Sequence, residues 1–323
     1  MNSKDRILAA LNLKTPDKIP TFEWFIDTQV AEILTGHRDP IDIVEALDID
    51  GINIRPDYDS RQVDAESFAD EWGAVRKHTG DSIPAIVKNP IQDMQQLDDY
   101  VFPDVDASAR FDLMARAQAR FGDTRAIILN LRDGFSDMRD ILGYENALME
   151  LVAAPDRFRK LLNRAVDYNL ALARRAKREF GIEIVATTDD IATDFGLLMR
   201  PETYFEVIGP AFQRVMQGYK DLGLHIIKHC DGNCSDVIDF WIDSGIDCLD
   251  PIRACLGLTS DLETCRSSLI FGVWEIFPSV PWLAVKWFAG KADNRYRQSI
   301  LLSLYRLSAS TGRIVCDDMT RIG

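Results

Sequence analysis

Short apolar runs alternate along this chain with longer stretches in which apolar residues recur every three or four positions. The first such stretch places Ile7, Leu8 and Leu11 on one face, which predicts a helix capped by Ser3, running through about Leu11 and ended by Pro16 and Pro20. Ile19–Phe25 then reads as a strand, followed by a helix around Ile41–Leu47 and a short strand, Ile52–Ile54. From about Asp57 to Asp106 the pattern dissolves into charged and turn residues, which predicts a long excursion rather than a repeating unit. Alternation resumes with a helical stretch, Ala107–Arg120, and a strand-length apolar run, Ala126–Leu131. Pro155–Phe180 is the clearest helix. Its stripe of Phe158, Leu161, Leu162, Ala165, Leu172, Ala173 and Ala176 leaves Arg and Lys largely outside. Strand Glu183–Thr188, helix Pro201–Lys220, strand Leu224–His229, helix Ser235–Ser244, and strands Asp247–Pro251 and Leu269–Trp274 complete the pattern. Pro201 suits a first helical turn, and Glu202 is favourable beside the positive helix end.

Strands that alternate with helices imply a parallel sheet, because a parallel return needs a crossover. About eight such units predict an α/β fold, a (β/α)8 barrel, spanning 1–323 as one domain; a doubly wound open sheet is the alternative. A composition of 46% hydrophobic and 27% charged residues excludes a disordered chain or a fibre. No uncharged apolar run reaches membrane-spanning length and the first residues lack a signal-peptide core, so a cytoplasmic protein without a membrane partner is expected. The net charge of −14 argues against nucleic acid as a partner. All six cysteines, at 230, 234, 248, 255, 265 and 316, lie late in the chain and form no secreted disulfide framework. In a reducing compartment they are free thiols, buried apolar residues or ligands.

Barrel chemistry sits where strands end, which turns attention to the polar residues there. Strand one ends near Glu23 and Trp24, the next at Arg55 and Asp57, and Ala126–Leu131 at Arg132 and Asp133. Later strands end at Asp189–Asp190, at His229-Cys230-Asp231-Gly232-Asn233, and at Asp250. Any one of these acids can instead cap the following helix. Neighbours on a strand face opposite ways, so at most one of Asp189 and Asp190 faces the pocket, and Asp190, nearer the loop, is the choice. Arg132 suits a substrate carboxylate or a salt bridge to Asp133 or Asp137. Among four histidines, His37 and His78 lie in loop-like contexts and His225 opens its strand, whereas His229 closes it and can serve as acid, base or metal ligand. Asp231 shares the His229 face, and Cys230 points towards the helices. Cys234 can return to the pocket from the following turn, but the Cys230–Cys234 spacing alone does not make a structural zinc site.

The stretches RILAALNLKTPDKIPTFEW, TTDDIATDFGLLMRPETYFEVIGPAF and IIKHCDGNCSDVIDFWIDSGIDCLDPI, in this order, resemble the uroporphyrinogen decarboxylase (URO-D) superfamily over about residues 3–274. That superfamily includes cofactor-free porphyrinogen decarboxylases and zinc-dependent methyltransferases that work with corrinoid proteins. The resemblance implies a distorted (β/α)8 barrel. Porphyrinogen decarboxylases carry an Arg-rich segment after strand one that gathers the substrate's carboxylates. Here that place reads TFEWFIDTQVAEI, with Glu23 and Asp27 and no arginine, although Arg55 and Arg132 can replace part of the cluster. The methyltransferases use His-x-Cys and a later Cys to bind zinc and activate a thiol. In this chain Asp231 stands where the first Cys would be, so His229 and Asp231 either hold a harder divalent metal or form a metal-free acid/base pair. The resemblance therefore implies methyl transfer or demethylation on a small substrate with a corrinoid partner. His229, Asp231 and Asp190 would be central, and Glu23, Arg55, Arg132, Asn233 and Asp250 would shape the substrate end. The alternatives are porphyrinogen-type decarboxylation, with Asp190 or Asp231 stabilising a protonated pyrrole, and an inactive barrel with a binding role.

After Trp274 the chain changes character. Residues 275–323 carry seven basic and four acidic residues, so the preceding 274 hold more than the whole net negative charge. The Gly-Asn and Gly-rich strand end expected after Gly-x-Trp are absent, which points either to a divergent last unit or to a reading-frame shift near codon 275. In the latter case Cys316 is no metal ligand. Translation of the coding DNA in the other two frames is expected to restore a Gly-rich strand end; if neither frame contains one, the frame-shift reading fails.

Overall fold

A computed structural model describes residues 1–79 and 83–251, together with the backbone of Ile270–Phe271. The atypical segment 275–323, with Cys316, lies outside the described residues, as do Cys255 and Cys265. The helices are α1 (Ser3–Leu11), α2 (Thr28–Thr35), α3 (Pro40–Ala46), α4 (Asp112–Phe121), α5 (Phe135–Leu142), α6 (Tyr144–Ala153), α7 (Pro155–Phe180), α8 (Pro201–Thr203), α9 (Gly209–Asp221) and α10 (Ile238–Asp243). The strands are β1 (Gly51–Ile54), β2 (Ser60–Gln62), β3 (Ser67–Asp70), β4 (Val75–Lys77), β5 (Ala85–Lys88), β6 (Ala126–Arg132), β7 (Ile184–Thr188), β8 (Ala192–Thr193), β9 (Gly196–Leu197), β10 (His225–His229), β11 (Cys248–Asp250) and β12 (Ile270–Phe271).

The main sheet runs β1-β6-β7-β10-β11-β12, parallel throughout, and Phe22 adds a parallel bridge to Gly51. Neighbours in the wall follow one another in chain order, and from β1 to β11 helices lie between them. This is the winding of a (β/α)8 barrel. The expected strand Ile19–Phe25 shrinks to that single bridge. Pro20 has no N–H, and the Thr21 N–H is drawn to the Asp50 carboxylate (2.9 Å) instead of the sheet.

Strand alternation divides the apolar residues into two cores. Ile52, Ile54, Ile127, Leu129, Leu131, Val185, Ile226 and Leu249 face the helices. There α7 buries every residue of its predicted stripe, begins at Pro155 and ends at Gly181 in the left-handed region (φ 64°). The inner face carries Ala126, Ile128, Ile184, Ala186, Ile227 and Cys248, packed on Ile7, Ala10 and Leu11 of α1. This first helix therefore plugs the lower end of the cylinder. Its cap is Asn2 rather than Ser3, with Asn2 Oδ1 accepting from Asp5 N at 2.7 Å. The helix predicted over Pro201–Lys220 is interrupted by a π-helical turn, Tyr204–Ile208, directly before Pro210, which cannot donate to the previous turn.

The excursion after β1 contains more order than its sequence predicts. Strands β2 to β5 form an antiparallel sheet in chain order. Each has three or four residues and most are at least partly exposed on both faces, so no apolar alternation marks them. Arg76 ties this sheet to the barrel, pairing with Asp70 at 2.6 Å and with Asp140 of α5 at 3.4 Å.

The plug is held by charge as well as packing. Asp50 is fully buried, bonds Arg6 and receives the Thr21 N–H, while Arg6 also pairs with Asp17 at 2.7 Å. Asp50→Ala leaves a largely buried guanidinium with one partner fewer. It is expected to lower the unfolding free energy by about 3 kcal/mol in urea titrations; a loss below about 1 kcal/mol would show that Asp17 alone holds the plug.

Candidate active site

The strands bring polar residues to the inner face at one level. The register aligns Arg132 with Thr188, Thr188 with His229, and His229 with Asp250 across four adjacent strands. Below that level the inner positions are mostly apolar, with Asn53 and Asn130 the polar exceptions on β1 and β6. Trp24, just past the first bridge, lies over the same layer, its ring centroid 4.5 Å from that of His229.

His229 is the centre of this layer. Its Nδ1 lies 2.9 Å from Asp250 Oδ2, and the indole N–H of Trp24 donates to the same oxygen. Its Nε2 lies 3.8 Å from both Asp190 Oδ1 and Asp231 Oδ2. The Asp231 backbone N–H reaches Asp190 Oδ1 at 3.1 Å, which joins the ends of β7 and β10. Burial works against a charged imidazole, but the surrounding Asp231, Asp250 and Asp190 carboxylates prevail and raise His229 to about 10. Glu23 moves to about 8 because it is largely buried and faces the negative charge of Asp250.

The residues around His229 have separate tasks. Asp250 was expected to touch substrate. It is fully buried and bonded to His229 and Trp24, so it positions the imidazole instead. Gly232 has φ +96°, and a Cβ there would lie 2.8 Å from the backbone of Ala192 and Thr193, so the loop after β10 can approach the β8–β9 hairpin only through glycine. Asn233 donates its backbone N–H to Thr193 O at 2.7 Å, and its side-chain oxygen accepts from Ser235 N (3.2 Å) and Oγ (2.7 Å). That oxygen holds a turn.

Alternation sends Asp189 and Cys230 outward, and further candidates are engaged away from the His229 cluster. Asp189 accepts from the N–H groups of Phe135 (2.6 Å) and Ser136 (2.8 Å) at the start of α5. Cys230 and Cys234 are buried in the helix-side core, away from the His–Asp cluster. Asp57 bonds the Leu113 N–H of α4 at 3.0 Å. His225 sits at the plugged end, 3.3 Å from Asn12 Nδ2 and 3.7 Å from Asp247. Arg132 pairs with Asp137 (3.2 Å) and Asp140 (2.8 Å), the salt-bridge reading. Arg55 is exposed. Trp24 was named only as a strand end; its wall-forming role lay in its step from Phe22, which faces the same interior.

The donor set at the centre suits a divalent cation. One ligand atom each from Asp190, His229 and Asp231 fall within 4.8 Å of one another. Two carboxylates and one imidazole make a hard site. The Asp250 bond to Nδ1 is the outer support common behind a metal-binding histidine. Asp190 thereby joins the His229–Asp231 pair expected from the sequence.

The family profile described as uroporphyrinogen decarboxylase (URO-D) matches residues 71–252, more than half of the chain. The chain belongs to the URO-D family. A comparison with curated proteins finds no match. Among solved structures, a methyltransferase from Methanosarcina mazei superposes with a TM-score of 0.63 at 14% identity, over 84% of this chain and 82% of that one. That likeness bears on the fold. The URO-D barrel here contains no helix among the described residues that is long and apolar enough to cross a membrane.

With its pKa above the unfolded value of 6.5, His229 contributes stability in full below about pH 6.5 and loses it as pH rises through about 10. In metal-free protein, NMR titration of the imidazole is expected to show this high midpoint. Asp250→Asn should lower it by about a unit or more; an unchanged midpoint would assign the shift to Asp190 and Asp231 alone.

Proposed function

We propose that this URO-D family protein catalyses methyl transfer or demethylation on a small substrate at the barrel mouth, with a corrinoid protein as its methyl-accepting partner. The observation that carries the reading is the convergence of Asp190, His229 and Asp231 within 4.8 Å at the ends of two adjacent strands. The likeness in fold to the methyltransferase from Methanosarcina mazei supports it. So does the segment after Phe22. Where porphyrinogen decarboxylases carry arginines, Glu23 stands half-buried and Asp27 caps α2 through Gln29 and Val30 N–H groups at 2.9 Å.

Asp190, His229 and Asp231 would hold the divalent cation, which when bound supplies Lewis-acid polarisation of the substrate atom that carries the methyl group. Asp250 fixes the imidazole so that Nε2 faces the cluster. Trp24 packs against one side of the ring. Glu23, raised to about 8, is protonated at neutral pH and can donate a proton or hydrogen bond to a leaving heteroatom.

The test combines metal analysis with turnover. Purified protein is expected to hold about one equivalent of a divalent metal, and Asp231→Asn and His229→Gln should each lose most of it. Methyl transfer from a panel of O-, N- and S-methyl compounds to free reduced cobalamin should fall about 100-fold or more in both variants. Porphyrinogen decarboxylation without methyl transfer, or a metal content under about 0.1 equivalent with full activity, would overturn the reading.

A further inference from the structure

Four arginines and three aspartates meet where β1, β4, β6 and α5 approach the barrel mouth. Arg132 pairs with Asp137 and Asp140, Arg76 with Asp70 and Asp140, and Arg139 with Asp140 at 3.3 Å. Asp137 is itself pushed up to about 7 by burial, so its charge is only partial near neutrality. The fourth arginine, Arg55, makes no hydrogen bond or ion pair among the described residues, although protein crowds it on most sides and it remains open to solvent. This combination describes a guanidinium in the wall of a concavity. Burial first, and then the nearby charge of Arg132, lower its pKa to about 10 against the opposing charges of Asp140 and Asp190.

The backbone explains why Arg55 is there. On β1, Ile52 and Ile54 face the helix-side core, so Gly51, Asn53 and Arg55 share the inner face. Gly51 confirms the direction, since a Cβ there would meet Ile7 and Ile128 of the inner core at 2.8 and 3.0 Å. Asn53 donates to Trp24 O at 3.3 Å, while its side-chain oxygen is buried with no hydrogen-bond partner among the described residues. Strands β6 and β7 separate β1 from β10. Arg55 and His229 therefore start roughly 15 Å apart along the wall and reach inward from it. Asp190 lies between them and is close enough to act electrostatically on Arg55.

We propose that Arg55 anchors a carboxylate on the small substrate whose reacting end meets Asp190, His229 and Asp231. One free guanidinium matches a planar, singly charged, two-oxygen group through paired N–H donors. A phosphate would bring a second negative charge that no other unpaired cation near Arg55 receives among the described residues, with Asp190 close by. The inference rests on the reading of this mouth as the substrate site. It concerns binding, however, and can fail or stand independently of methyl transfer.

Isothermal titration of metal-free protein with methoxyacetate, succinate and benzoate, with inorganic phosphate and neutral methyl methoxyacetate alongside, tests it. At least one carboxylate is expected to bind the wild type. Arg55→Ala should weaken that binding about 10-fold or more, and Arg55→Lys, which keeps the charge without the fork, should fall between. The neutral ester should not distinguish the variants. The midpoint of thermal unfolding should fall little in Arg55→Ala, because the side chain makes no hydrogen bond or ion pair among the described residues. Equal carboxylate binding by wild type and Arg55→Ala, no carboxylate binding by the wild type, or stronger binding of phosphate would each overturn the proposal. Carboxylate binding lost in Arg55→Ala, in a protein that transfers no methyl group, would leave the anion site standing and remove the methyl-transfer reading.

Discussion

The site is organised around the Asp250 carboxylate, which is fully buried and receives the Trp24 indole N–H on the oxygen that faces His229 Nδ1. A buried carboxylate is costly without partners. Burial raises the Asp250 pKa, and the bonds from His229 and Trp24 oppose that rise. Those bonds stabilise its charged form and also fix three pieces of chain. Asp250 ends β11, His229 ends β10, and Trp24 belongs to the segment before α2, so one carboxylate links strands from opposite ends of the sequence. The exposed edge of the imidazole is thereby set. With Nδ1 committed, only Nε2 is left to face Asp190 and Asp231.

The same strands serve a second purpose one residue away. Lys228, beside His229, points outward, pairs with Asp133 at 2.6 Å, and donates to the carbonyls of His229 (2.7 Å) and Asp189 (3.3 Å) beneath the Trp241 ring. Thr187 bonds the other Asp133 oxygen. Adjacent pairs at the strand ends thus divide their work by pleat: 132 and 133, 189 and 190, 228 and 229, 230 and 231. Of the outward members, Asp133, Asp189 and Lys228 form a buried ionic layer at the strand ends, and Cys230 joins the helix-side core. The inward members receive the geometry. A buried Lys–Asp pair contributes little net stability over an apolar substitute, so its value here is in position: the Lys228 bonds hold the carbonyls at the strand ends that present His229 and Asp190.

Much of this was legible from residue order because two periodicities carry it. The stripe of α7 and the apolar runs of β6, β7 and β10 report burial on known faces, and those elements fall where their patterns put them. The choice of Asp190 over Asp189 needed nothing beyond strand alternation. Asp250 shows the limit. A strand-end acid looks the same in sequence whether it faces solvent or lies behind a histidine, and only the register that sets it against His229 tells the two apart. Strands β2 to β5 were hidden because neither face of that small sheet is consistently buried, so no alternation was imposed on the residues. Arg55 and Arg132 were indistinguishable as strand-end arginines. Their difference lies in α5, a turn of chain away, which gives Asp137 and Asp140 to Arg132 alone.

The resulting mouth is electrically polarised, and this bears on which molecules it can accept. Asp190 and Asp231 flank His229 at one side, while Arg55, without a hydrogen bond or ion pair among the described residues, stands at the other. A substrate with carboxylates around its whole periphery would set some of them against the acidic side, where like charges in a partly buried setting repel strongly. Protonation of Glu23 near neutrality relieves that repulsion at one residue only. A molecule with a single anionic end and a neutral methyl-bearing end meets no such conflict. In the proposed pose its charge would lie against Arg55, and its reactive atom would lie beside Asp190, His229 and Asp231. The acidic residue in place of the thiolate at 231 has the same consequence. An oxygen-rich donor set favours a harder cation, and such a cation prefers an oxygen or nitrogen heteroatom to sulfur. On the proposed reading, the acidic residue at 231 and the charge gradient across the mouth would both favour a small carboxylate with a methyl group on oxygen or nitrogen.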